Sequence, residues 1–75
     1  MTKLPRDLSY RRVLRALKRA GFYVKRQKGS HIVLRRDEPF AQVIVPAHGS
    51  LDTGTLRAIL EGADLAAEEF KGFLR

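Results

Sequence analysis

At Gly21 the period of the apolar residues changes, and this constrains the fold more than any other feature of the chain. Upstream, Tyr10, Val13, Leu14 and Leu17 recur three and four apart, the spacing that lines one side of an α-helix. Ser9 or Asp7 can accept from the free amides at its start, and Gly21 can supply the left-handed residue that ends it. Downstream, residues 22–27, 31–36 and 41–45 alternate and are rich in aromatic and β-branched side chains, which predicts three strands. Lys28-Gly29-Ser30 and Asp37-Glu38-Pro39 read as turns, and Pro46 stops the third strand. Turns this short join antiparallel neighbours, so the strands form a meander.

A loop from Pro46 to Asp52 then leads to a second helix capped by Asp52 or Thr53, with Leu56, Ile59 and Leu60 on its apolar side. Gly62 is expected to break it. Residues 64–74 predict a short third helix that buries Leu65, Phe70, Phe73 and Leu74, with Asp64 as its cap and Lys71 near its far end. Helices arising at both ends of a small antiparallel sheet share one side of it. The expected architecture is therefore an α+β two-layer sandwich of order α-β-β-β-α(-α), with the helices on one face and residues 1–75 as one domain. Phe22, Phe40, Phe70 and Phe73 are expected in the core. Tyr10 and Tyr23 are expected half-exposed, with Tyr23 on the face of Lys25, where it could stack on a base.

The charge is unevenly spread. Residues 1–36 hold twelve basic side chains against one acid, a net +11, whereas residues 37–75 are net −4. The first half is suited to meet a polyanion, and Arg11, Arg15 and Lys18 fall together on the outer face of the first helix with Arg12 and Arg19 beside them. The absence of cysteine excludes disulfides and thiolate metal sites, and two histidines make a structural zinc site improbable. No cofactor or metal is expected. The longest apolar run falls far short of the ~20 residues that cross a bilayer, and no apolar leader is evident, so a cytoplasmic domain without membrane contact is expected.

The densest candidate for chemistry is Arg26-Gln27-Lys28-Gly29-Ser30-His31: cations, a glycine, a hydroxyl and an imidazole within six residues. Alternation sets Ile32 and Leu34 toward the helices and His31, Val33 and Arg35 on the open face. Imidazole titrates near neutral pH and can give or take the proton in RNA transesterification, while Lys28, Arg26 and Arg35, with Lys25 nearby, could hold phosphate without a metal. The plain alternative is a surface histidine of no consequence. His48 is a secondary candidate, suited to positioning substrate. Ser30 cannot pair with His31 in a triad, because neighbouring side chains on a strand face opposite ways. Only Gln27 and Gln42 supply amide side chains, so recognition would lean on phosphate and shape.

Four segments in consistent order, Leu17-x-x-Ala20-Gly21-Phe22, Arg26-Gln27-Lys28-Gly29-Ser30-His31, Val43-x-Val45-Pro46-x-His48 and Gly54-Thr55-Leu56-Arg57-x-Ile59-Leu60, resemble the HicA (YcfA-like) toxins. The resemblance runs from about Ser9 to Leu74. It implies a fold similar to a double-stranded RNA-binding domain and the activity of an mRNA interferase of a type II toxin–antitoxin pair. It further implies that the histidine of the Gly-Ser-His turn, here His31, is catalytic and that a HicB-type antitoxin covers it. Arg26, Lys28, Gly29, Ser30, Arg35, Lys25, Arg11 and Arg15 are then the expected RNA-binding set. The alternative is a non-catalytic RNA-binding module of the same fold. The second helix begins Thr53-Gly54-Thr55-Leu56-Arg57 with one cation, unlike the lysine-rich start of duplex readers, so single-stranded mRNA is the expected substrate. The acidic segment from Glu61 to Glu69 is expected to face solvent or the partner.

Overall fold

The computed structural model describes residues 3–74; residues 1, 2 and 75 of the expected 1–75 domain lie outside the described residues. The elements in chain order are β1 (Leu8–Ser9), α1 (Tyr10–Arg19), β2 (Tyr23–Lys28), β3 (His31–Asp37), β4 (Phe40–Pro46), β5 (Ser50–Leu51), α2 (Thr53–Ala63) and α3 (Ala67–Phe73). The first helix starts because the Ser9 hydroxyl accepts from the Arg12 amide, relieving one orphan donor. It ends in a Schellman pair: Phe22 N–H donates to the Leu17 carbonyl and Gly21 N–H to that of Lys18.

The strands form an antiparallel meander in the order β2-β3-β4. A separate antiparallel pair of two residues each, β1 with β5, joins the segment before α1 to the one before α2. This pair was not expected from the sequence. It buries Leu8 against the core beside Leu51 and brings the two helix N-termini to one end of the molecule.

The helices lie on one side of the sheet. Val13, Ala16 and Leu17 of α1, Leu56, Ile59, Leu60 and Ala63 of α2, and Phe70 of α3 meet Ile32 and Leu34 of β3 and Ala41, Val43 and Val45 of β4. Period-two alternation produces this division on β4: Ala41, Val43 and Val45 are buried, while Phe40, Gln42 and Ile44 are exposed. No helix among the described residues is long and apolar enough to cross a membrane.

Three expectations are corrected. Gly62 does not break α2 but lies inside it, where a Cβ would stand 3.1 Å from Val43 Cγ1, so the missing side chain lets the helix approach β4. The helix ends one turn-position later, with Asp64 in the left-handed conformation and Leu65 N–H donating to the Leu60 carbonyl. Asp64 therefore closes α2 and does not cap α3, which starts at Ala67, with the Glu69 carboxylate accepting from the Ala66 amide. Phe40 is not core: it is 64% exposed on the open face, under the Arg35 guanidinium at 5.1 Å.

Candidate nucleic-acid interface

The site is built on the open face of the meander. His31 opens β3 and stands directly opposite Lys28 on one side and Pro46 on the other. Its neighbours of opposite parity, Ile32 and Leu34, are buried under the helices, so the imidazole is left on the uncovered side and is exposed. Between Lys28 and His31 the chain reverses in two residues. Gly29 takes φ +58°, the positive value for which a first-position glycine is favoured in such hairpins, and a Cβ there would meet nothing within 4 Å. Conformation, not space, selects this glycine.

The cations reach this face through a bulge that simple alternation does not predict. Val24 pairs with Leu34 but Arg26 pairs with Val33, leaving Lys25 as the extra residue. Simple alternation would group Tyr23 with Lys25 and Gln27. Across the bulge, Tyr23, Arg26 and Lys28 instead share the face of His31, Val33 and Arg35, and Lys25 is an exposed bulge residue. The open face thus carries the rungs Lys28–His31–Pro46, Arg26–Val33–Ile44 and Tyr23–Arg35–Gln42.

These cations are not equivalent. Arg35 Nε lies 2.7 Å from Asp37 Oδ1, and its guanidinium also covers Phe40. Four residues of strand separate it from His31, about 13 Å at ~3.3 Å per residue, so the guanidinium and the imidazole stand two rungs apart on this face. The Tyr23 hydroxyl donates to the Asp37 carboxylate at 3.1 Å. Desolvation first, and then this hydrogen bond, push the phenol's pKa up, which keeps it a donor. The expected stacking role of Tyr23 beside Lys25 is therefore altered: its partners are Asp37 and Arg35.

The second histidine lies on a loop tied to the same end of the sheet. Ala47 N–H donates to the Ser30 carbonyl at 2.6 Å, carrying the pairing one step beyond Pro46 and into the turn. Tyr10 N–H donates to the Gly49 carbonyl at 3.1 Å, which joins this loop to the first turn of α1. His48 sits exposed between these two attachments. Arg11, in that first turn, stacks over Tyr10 at 5.8 Å and belongs to the same end. Arg15 is a turn further on. With Arg12 and Arg19 it lines a cleft of about 160 Å³ against Phe73 and Leu74, where Arg19 Nη1 donates to the Phe73 carbonyl. That cleft belongs to the helical layer, apart from the His31 rung. Arg36, on the helix side of β3, is structural: it bonds the Pro39 and Ala63 carbonyls and covers the Phe22 ring at 4.8 Å.

Among the described residues no three His, Asp or Glu side chains gather as a metal site would need. A search of curated proteins returns no match. A family model described as HicA toxin of bacterial toxin–antitoxin matches residues 10–65, well over half of the chain, from the first residue of α1 to just past the end of α2. The matched stretch includes every strand of the meander, the Gly-Ser-His turn and the His48 loop. The chain belongs to the HicA family, the toxins of bacterial toxin–antitoxin systems.

Proposed function

We propose that this toxin is an endoribonuclease that cleaves messenger RNA in the cytoplasm, with His31 transferring a proton. In the reaction, the ribose 2′-oxygen bonds to the adjacent phosphorus as the bond to the 5′-oxygen breaks. One proton leaves the 2′-hydroxyl and one arrives at the departing 5′-oxygen, and His31 handles one of these two transfers. Lys28 and Arg26 neutralise charge that builds on the phosphorane, which needs no metal. Arg35 and Lys25 hold flanking phosphates, while Gly29 and Ser30 let the backbone approach. His48 and Arg11 position the strand at the turn, and Arg15 extends the contact along α1. A HicB-type antitoxin neutralises the toxin by covering this face.

The observation that carries the reading is the rung Lys28–His31–Pro46: an exposed imidazole beside a cation, on the side of the sheet free of helices. A second reading, a non-catalytic RNA-binding module, is favoured by Arg12, Arg15 and Arg19 of α1, a second cluster of cations that lies in the other layer, away from His31. Purified protein incubated with single-stranded RNA in EDTA separates the two. New ends carrying 2′,3′-cyclic phosphate support the enzyme; salt-sensitive binding with intact RNA supports the module.

A further inference from the structure

The two edges of the three-stranded sheet differ in kind. β2 carries the Lys25 bulge together with Arg26 and Lys28, devices that keep an edge from pairing with another chain. β4 forms the other edge, Phe-Ala-Gln-Val-Ile-Val-Pro, without a charged residue and in unbroken register with β3. Beside it an open groove of about 370 Å³ runs between β4 and α2, lined by Val43, Ile44, Pro46, Ala58 and Ile59 among others. Ile44 is 55% exposed on the open face, and Ala58 is exposed on α2. An uncharged edge with an apolar groove alongside is a template for an added strand: backbone hydrogen bonds give affinity, and alternate side chains fill the groove.

We propose that the β4 edge and this groove dock an extended segment of the cognate antitoxin, one with small apolar side chains toward α2 and acidic side chains toward the open face. The proposal rests on the toxin–antitoxin reading. Charge selects this occupant over a second copy of the chain, because two bodies of +7 repel, whereas the groove itself is uncharged and acidic side chains on the open-face side of an added strand would lie toward Arg26, Lys28 and His31. A strand added to β4 lies about 4.8 Å from it, and so about 10 Å from β3. An acidic side chain beside Pro46 therefore stands on the same face as His31 and Lys28, about 10 Å from the strand of His31 and about 14 Å from that of Lys28.

The test uses the His31→Ala chain, co-expressed with the product of the adjacent open reading frame, then separated and titrated against it by calorimetry. Ile44→Lys and Ala58→Lys, both at exposed positions, should each weaken binding by about tenfold or more. Val24→Lys on the opposite edge should leave it within about twofold. Hydrogen exchange should slow in residues 40–46 on complex formation. Unchanged affinity in the Ile44 and Ala58 variants, or a dimer of the toxin alone that those variants dissolve, would overturn the docking site while leaving the antitoxin reading standing. Failure of the parent chain to bind the adjacent product would overturn both.

Discussion

Replacing Asp37 with asparagine should strengthen the grip on RNA without touching a cation. The Asp37 carboxylate occupies Arg35 Nε at 2.7 Å, so Arg35 is partly neutralised in the free protein. Asparagine keeps a carbonyl oxygen for the Tyr23 hydroxyl and removes the charge. Each phosphate contact on a single strand contributes about 0.7 to the slope of log affinity against log salt, so releasing Arg35 should steepen that slope by up to ~0.7. Between 50 and 200 mM salt this adds roughly 2.6-fold to the loss of affinity, readable by fluorescence anisotropy with a short single-stranded RNA in the His31→Ala background. Lys28→Ala should move the slope by the same amount in the opposite direction. Stability should hardly change, since an exposed ion pair contributes less than about 1 kcal/mol. If Asp37→Asn and Lys28→Ala both leave the slope at the parent value, RNA does not lie along the open face.

Three further outcomes test the fold beneath the site. Leu34→Ala empties a fully buried position in the central strand and should cost about 2–5 kcal/mol, lowering the thermal midpoint by roughly 10 °C or more in a calorimetric scan. Ser9→Ala removes the cap of α1 and should cost about 1 kcal/mol, a drop of roughly 4–8 °C by circular dichroism. The Asp52 carboxylate accepts from the Thr55 amide, and this holds its pKa below the ordinary aspartate value. A lowered folded pKa means the cap's contribution is complete above the unfolded value and fades as pH falls through the folded one. Acid titration of Asp52→Asn should therefore show a shallower loss of stability below pH 4 than the parent, on the order of one ionising group; equal slopes would contradict it.

Much of the scaffold was legible because local chemistry and global fold agree. The helical spacing from Tyr10 to Leu17, the Ser9 cap, the Gly21 stop and the alternation on β3 and β4 all follow from short-range rules that the tertiary structure does not override. What escaped was set by contacts between distant segments. The two-residue pair of β1 and β5 has no pattern of its own and exists because the ends of α1 and α2 meet. Gly62 looked like a helix breaker because composition does not reveal the close approach to Val43. The exposure of Phe40 had a signal, its parity with Gln42 and Ile44, but aromatic character pointed inward. In the site, His31 on the open face could be read from alternation on β3, whereas the alignment of Arg26 and Lys28 with it depends on the Lys25 bulge, which composition does not mark.

The most direct measurement is the rate at which purified parent and His31→Ala proteins cut a defined single-stranded RNA in EDTA, with circular dichroism establishing that both are folded. Removal of a positioned proton-transfer group should slow cleavage by about 100-fold or more while RNA affinity, set by the surrounding cations, stays within a few-fold. A folded His31→Ala chain that cleaves at the parent's rate would show that the imidazole beside Lys28 is not the group that moves the proton.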